Sequence, residues 1–500
     1  MVAIAASAAL LLSGGKEADP RTPAGLPGMP PPFLGVAVLG EGELTAAVDA
    51  YGNVVDLGAP GPAGRALIEN PADRQAAGTV PADTGIQVRV RLDGGPALPM
   101  WRADEVRQRY LPGTNVLRTV ARFGPERVRI TQGASGRILV IVVNSSAAIE
   151  VRANDEVDCE RQELGQSVFV TCGVNRTHLS PVCGDKCVRL RAASDRHWLQ
   201  DSRPVGSGAP PWAREMYKRS LLVLHALTDR RTGAVAAGAR DGWAYVWPRD
   251  AAAVAIALAA AGHQAEAESI VQFLLGAGIE QAARFNGDGS PVPGRGPQGD
   301  AIGWVAAAAK ATGVVGSARQ AARILSGGQP IPWRDRPDYW EQGPGDYLGN
   351  ALASLDGPKV RLYVGKSSRL LVRRLGDPES GLDSAAAWGV RPFPHPELYP
   401  AIRRTLNELV AAGGRFGITP GEGWDGGEDP WSAPTAWSAW SLAALGERRQ
   451  ALRLLQALRR SATSAGMLPE RVDAETGVPR STTPLAWSHA FTILALRQLW

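Results

Sequence analysis

The period of hydrophobic and polar positions changes near residue 200. From Phe33 to about Leu190 the chain favours short strands. Ile86 to Leu92 reads Ile-Gln-Val-Arg-Val-Arg-Leu, an alternation that gives a strand one apolar and one charged face. Val128-Arg-Ile-Thr and Ile138-Leu-Val-Ile-Val-Val are β-branched runs broken by Gly, Asn and Ser. These runs predict an antiparallel β-sandwich. From Trp212 onward apolar residues recur at helical spacing, and helices are expected over 212–229, 250–261, 265–276, 301–312, 318–325, 399–412, 435–445, 447–461 and 485–499. Two or three more are expected between Asp346 and Trp388.

The first residues fit neither pattern. Val2 to Leu12 is a small-apolar run as long as a signal h-region and too short to span a bilayer, although the usual positive flank is missing. Gly14 to Pro32 is rich in Gly and Pro and reads as a tether. The expected division is therefore 1–32 export signal and linker, 33–200 strand domain and 201–500 helical domain. Cys159, Cys172, Cys183 and Cys187 fall in one short stretch. Two local disulfides fit an exported protein, whereas Cys183-x-x-x-Cys187 alone would also suit half a zinc site.

Composition narrows the function classes. A 500-residue chain with 44% hydrophobic and 21% charged residues has ample material for a buried core. A net charge of +5 is mild at this length, and no dense basic run carries interleaved aromatics, which disfavours nucleic-acid binding. No segment is long and apolar enough to be an integral membrane span. Twelve of the 15 tryptophans lie at or beyond Trp243, in the helical half. Flat indole faces suit sugar rings, and a helical core also absorbs several.

Candidate chemistry gathers in that half. Glu341 sits in Pro-Asp-Tyr-Trp-Glu-Gln, directly after Trp340 and close to Asp338. Glu470 ends Gly-Met-Leu-Pro-Glu and precedes Pro484-Leu-Ala-Trp487-Ser-His489-Ala. Two carboxyls flanking a glycosidic bond can divide the work of inversion: one protonates the leaving oxygen, the other activates water on the far side. An acid against indole is disfavoured as an anion, which suits the donor role. Tyr245-Val-Trp247-Pro-Arg249-Asp250 places a planar donor fork beside a carboxylate acceptor, a good clamp for vicinal hydroxyls. Gly413-Gly-Arg415-Phe416 and Gly426-Gly-Glu-Asp-Pro-Trp431 add a further arginine and indole among turn-forming glycines. Any one cluster alone also fits a surface charge beside a core tryptophan; four together fit that poorly.

The segments Trp-Pro-Arg-Asp, Trp-Glu, the Gly-rich stretch ending in Pro-Trp, and Leu-Pro-Glu followed by Pro-Leu-Ala-Trp-Ser-His-Ala occur in this order. With Gly296-Pro-Gln298-Gly-Asp300, they resemble glycoside hydrolase family 15, the glucoamylase, glucodextranase and bacterial trehalase family. Gly40 to Asp56 is similar to the opening strands of its bacterial members, and Tyr110 to Leu117 to a later strand. The resemblance implies an (α/α)6 barrel behind the sandwich, acting on an oligosaccharide or polysaccharide. The acid/base reaction needs no metal or cofactor, the signal-like N-terminus and the cysteines point to a secreted or cell-surface protein, and a monomer is expected.

It also implies roles. Glu341 would be the general acid, shielded by Trp340, and Glu470 the general base. Arg249 and Asp250 would bind the terminal glucose, Arg415 would complete the clamp, and Trp247 and Trp431 would wall the subsite. Asp338 and Trp487 are weaker carry-overs, and His489 reads as a helix-packing residue. The implied reaction is exo-acting hydrolysis with inversion, releasing β-glucose, the two carboxyls standing roughly 6.5–9.5 Å apart. Three places depart from the family pattern: Trp243 replaces a tyrosine, Arg471 a glutamine after the base, and Glu428-Asp429 a Gly-Asn before Pro-Trp. A trehalase, a phosphorylase or transferase, and a carbohydrate-binding protein that has lost turnover remain as alternatives. Gly365-Lys-Ser lacks the first glycine of a phosphate loop, and there is no Gly-x-Ser-x-Gly or His-Glu-x-x-His motif.

Overall fold

The structure, a computed structural model, describes residues 25–59, 61–68, 85–153, 157–173, 184–314, 348–353, 381–422, 424 and 426–500. Thirteen strands come first among these. Gly35–Gly40 (β1), Thr45–Asp49 (β2), Val54–Ala59 (β3) and Arg65–Ile68 (β4) form a sheet in sequential order. Gln87–Arg91 (β5) lies between Ala97–Pro99 (β6) and Ala148–Arg152 (β11). The largest sheet contains Glu105–Tyr110 (β7), Leu117–Phe123 (β8), Glu126–Ser135 (β9), Ile138–Asn144 (β10), Asp158–Leu164 (β12) and Ser167–Gly173 (β13), ordered β12-β13-β10-β9-β8-β7. Every pairing is antiparallel, which is what short strands joined by glycine turns allow. The alternating 86–92 segment is β5, with Val88 and Val90 buried and Arg91 exposed.

Helices follow: Gly184–Gln200 (α1), Pro211–Leu227 (α2), Pro248–Ala261 (α3), Gln264–Gly276 (α4), Ala301–Thr312 (α5), Leu348–Ala353 (α6), Tyr399–Ala412 (α7), Ser432–Ala444 (α8), Arg448–Ser461 (α9) and Ala486–Leu499 (α10). The expected helices at 301–312 and 399–412 have the bounds read from periodicity. Residues 318–325, Cys183 and the Gly365-Lys-Ser stretch lie outside the described residues.

Two readings need correction. Residues 184–200 are helical, not part of the strand region. This helix buries only Val188 and Ala192 as an apolar pair, against Val116, Val140 and Val142, and it also buries Arg191 and Asp195. Buried charge hid its inner face from a hydrophobicity pattern. Tyr110 to Leu117, expected as a strand, is instead the end of β7, a turn, and the start of β8. Thr114 and Asn115 are needed there as hydrogen-bonding groups: Asn115 donates to the Leu222 carbonyl at 2.9 Å and accepts from Arg219 at 3.0 Å.

That turn joins strands to helices. Arg219 of α2 lies over the Tyr110 ring at 3.8 Å, Asp195 accepts from the Asn115 amide at 2.7 Å, and Arg191 pairs with Asp195 at 2.7 Å and with Glu41. One continuous core runs beneath, from Phe33 in the strand region to Leu499 in the last helix.

Cys159 and Cys172 are cross-strand neighbours in β12 and β13 and form a disulfide, and Cys187 is also disulfide-bonded. The zinc alternative is therefore excluded for these three. No helix among the described residues is long and apolar enough to cross a membrane.

Candidate active site

Helices α3, α5, α8 and α10 all begin at the same place. Their N-terminal flanking residues are Trp247, Asp300, Trp431 and Leu485. Cross-contacts tie these starts together: Arg249 to Asp300, Arg249 to Trp487, and Ser432 to Ser488. The intervening helices α4 and α9 must run back to the opposite end. Helices α3, α8 and α10 are buried on nearly all sides, whereas α9 carries its apolar residues on one stripe. An inner set of helices thus aims its free N–H ends at one region.

Pro248 opens α3 with its fixed φ, so Arg249 and Asp250 occupy the first turn. Arg249 is only 3% exposed. Its guanidinium meets Asp300 Oδ2 at 3.0 Å, donates to Gln298 Oε1 at 3.3 Å, approaches Asp250 Oδ2 at 3.6 Å and lies 4.6 Å from the centre of the Trp487 ring. A buried cation needs such surroundings, and two carboxylates with an indole face supply them. The Gly296-Pro-Gln298-Gly-Asp300 loop accordingly finds its physical purpose in orienting Arg249. Gln298 and Asp300 were matched as motif residues, yet sequence reasoning did not place them in the site.

Glu470 is half-buried on the segment between α9 and α10. Its backbone is pinned on both sides: its N–H donates to the Thr482 carbonyl at 2.9 Å, and its carbonyl accepts from Ser432 N–H at 2.9 Å. The Trp243 indole N–H donates to Oε1 at 3.2 Å, and the Ser481 hydroxyl donates to Oε2. Trp243, which stands where the family pattern has a tyrosine, thus supplies a hydrogen bond of its own. Ser481 carried no sequence signal beyond lying just before the Pro-Leu-Ala-Trp run. Arg471 turns to Asp429 at 3.6 Å, and Arg480 reaches the same carboxylate at 3.8 Å.

His489, fully buried in α10, anchors this segment. Its Nε2 accepts from the Leu468 N–H at 3.0 Å, which leaves Nδ1 carrying the proton opposite Ser220 Oγ at 2.9 Å. Burial, reinforced by the Arg219 charge, lowers its pKa from the usual value to about 3. The ring is therefore neutral throughout the physiological range.

The aromatic residues divide. Trp247 packs against Ala237 and Ala283, with the Arg295 guanidinium 4.9 Å from its ring centre. Trp431 is buried edge-to-face against Trp424 at 5.1 Å, and its backbone bridges to Ile418 and Arg471. Arg415 is exposed on the Gly414–Gly417 turn, 5.3 Å from the Phe416 ring centre, and its carbonyl accepts from Arg460. None of its contacts reaches Arg249 or Asp250. A cavity of about 400 Å³ beside this turn is lined by Phe416, Thr419, Glu422 and Glu428, and by none of Arg249, Asp250 or Glu470. Glu341, Trp340 and Asp338 lie outside the described residues. Among the described residues no group of three or more His, Cys, Asp or Glu is arranged to hold a metal ion.

Strands followed by helices, with helix starts converging on a buried arginine and a pinned glutamate, define a glucoamylase-like architecture. A crystal structure of bacterial glucoamylase complexed with acarbose superposes with a TM-score of 0.67 at 12% identity, covering 97% of this chain and 95% of that one. A wild-type glycosidase (20% identity, 58% of this chain and 99% of that one) gives 0.47. The glucoamylase from Saccharomycopsis fibuligera (14%, 59% and 96%) gives 0.45. Residues 211–282, which include Trp247, Arg249 and Asp250, match the family described as glycosyl hydrolases family 15. No curated protein matches the chain. The chain resembles family 15, and its enzyme class is glycoside hydrolase.

Proposed function

We propose that this protein is an exo-acting, inverting α-glucoside hydrolase that releases β-glucose from non-reducing ends of α-gluco-oligosaccharides. The observation that carries the reading is the held carboxylate of Glu470, tied through Trp487 and α10 to the buried Arg249–Asp250 pair. Glu470 acts as general base. Its two oxygens together offer about four acceptor positions. Trp243 and Ser481 each donate to one of the two oxygens, which fixes the carboxylate in the orientation from which it takes the proton of the attacking water. Arg249 and Asp250 grip the hydroxyls of the terminal glucose, which admits a chain end and excludes the middle of a polymer. Glu341, beside Trp340, donates the proton to the departing oxygen. Trp247 and Trp431 wall the sugar, and Arg415 belongs to the outer part of the site, where it meets substrate beyond the terminal unit. Because both carboxyls act once, on opposite faces, the anomeric configuration inverts.

The same reading takes residues 33–200 as a β-sandwich domain with helix α1 packed on it and 201–500 as an (α/α)6 barrel, with the α3, α5, α8 and α10 set as part of its inner ring. Residues 1–32 serve export, which the disulfide chemistry of Cys159 and Cys172 supports. Whether the linkage cleaved is that of maltose-type, isomaltose-type or trehalose substrates is set by loops outside the held pair.

The test uses maltotetraose, isomaltotriose and trehalose with the anomeric protons followed by NMR. β-Glucose should appear first from at least one of them, and Glu470→Gln and Glu341→Gln should each abolish release while the thermal midpoint holds. Release of α-glucose, or turnover surviving in the double variant, would overturn the assignment.

A further inference from the structure

The outward face of β7, β8 and β9 carries six arginines. Alternation places Arg107 and Arg109 of β7, Arg118 and Arg122 of β8, and Arg127 and Arg129 of β9 on the same side, opposite the buried Val106, Ala121, Val128 and Ile130. Register makes this worse electrostatically. Arg109 stands directly across from Arg118, and Arg122 directly across from Arg127. Like charges directly opposed across a ladder destabilise a sheet. Arg107 pairs with Glu105, but among the described residues none of Arg109, Arg118, Arg122, Arg127 and Arg129 makes an ion pair. Arg118 is the extreme case: its Nε is buried without a hydrogen-bond partner among the described residues. Burial first, then Arg129 and Arg109, press its pKa below the ordinary range. A groove of about 370 Å³, lined by Glu105, Arg107, Val120, Arg122, Pro125 and Arg127, runs across the same strands.

The chain as a whole is nearly balanced, with 54 basic and 49 acidic residues, so this excess is local. The geometry points to a docking surface for an anionic polysaccharide on the β7–β8–β9 face, with guanidinium forks receiving carboxylate, sulfate or phosphate groups along the glycan. Glu105, Val120 and Thr131 are what interrupts the arginines on these strands. Among the described residues the face thus offers no aromatic platform for nucleic-acid bases and no large apolar group to enter a lipid bilayer. The choice of glycan as the charged polymer rests on the glycoside hydrolase reading; the unpaired arginine face does not. Binding there would hold the enzyme on a charged matrix while the helical half works on a separate, neutral chain end.

The experiment measures retention of the full chain by dextran sulfate, with neutral dextran as control, and compares Arg118→Ser/Arg129→Ser with Arg449→Ser/Arg453→Ser. Arg449 and Arg453 are exposed on α9, so both variants lose the same charge. Near about 0.15 M salt the face variant should bind dextran sulfate about tenfold more weakly, and the α9 variant less than about twofold. The thermal midpoint of the face variant should hold or rise, because repulsion is relieved; a structural role would lower it. Equal losses in the two variants, a lowered midpoint, or no retention of the native chain would overturn the proposal. So would tighter binding to phosphatidylglycerol vesicles or to single-stranded polynucleotide than to dextran sulfate. Glucose release from neutral oligosaccharides is read separately, so failure of the catalytic assignment and failure of the docking surface give different results.

Discussion

Replacing His489 with glutamine should change how stability depends on pH, by an amount the structure sets. The ring is fully buried, accepts from Leu468 N–H and faces Ser220, and its pKa is lowered to about 3 in the folded chain. An unfolded chain binds the proton near the ordinary value of 6.5. With the folded value depressed, the contribution of His489 is fully present above pH 6.5. It is lost as pH falls toward the folded pKa, because only the unfolded state takes up the proton in that window. Each unit is worth about 1.4 kcal/mol, so between about pH 6.5 and pH 5 the native protein loses about 2 kcal/mol from this residue alone.

The glutamine of the His489→Gln variant does not titrate. Its amide carbonyl can still accept from Leu468 N–H, but the contact with Ser220 is lost, costing about 1–2 kcal/mol at neutral pH. The native protein should therefore be the more stable at pH 7, and the difference should vanish or reverse by pH 5. The other depressed histidines, His225 and His263, titrate in both chains, as does Asp49, whose pKa burial raises to about 6. Their contributions cancel in the comparison. Urea denaturation followed by tryptophan fluorescence at pH 7, 6 and 5 gives the difference directly. A gap that stays constant or widens on acidification would refute the neutral, buried imidazole.

Two further outcomes follow from single contacts. Trp243→Phe keeps an aromatic ring but removes the donor to Glu470 Oε1, so kcat should fall about 10- to 100-fold with KM and the thermal midpoint little changed; an unchanged kcat would take Trp243 out of the site. In α5, a Cβ at Gly303 would run straight into the Ala353 carbonyl oxygen. Gly303→Ala should therefore cost several kcal/mol, on the order of 3, by forcing α5 and α6 apart, and a thermal midpoint within a degree or two of the native one would contradict that packing.

Local chemistry carried a good deal of this protein. The 3.6 period set α5 and α7 to the residue because each has a clean stop, Gly313 in a left-handed conformation after α5 and Gly413 after α7. The alternation over 86–92 became β5, since a two-residue period leaves no other half-buried solution, and the β-branched run at 138–143 became β10, a strand buried on both faces. Trp247, Arg249, Asp250 and Glu470 were legible as unusual pairings of charge with indole. What the sequence could not contain was the meeting of distant segments. That Arg249 is locked by Asp300 and faces Trp487, that Trp243 and Ser481 hold Glu470 between them, and that Arg471 turns away to Asp429 are consequences of four helix starts lying side by side. The same holds for α1. Its buried Arg191 and Asp195 look like surface residues until Glu41 from the β1–β2 turn and Asn115 from the β7–β8 turn pair with them. Period and propensity act over a few residues. The worth of a buried charge depends on which partners the fold brings within about 3 Å of it.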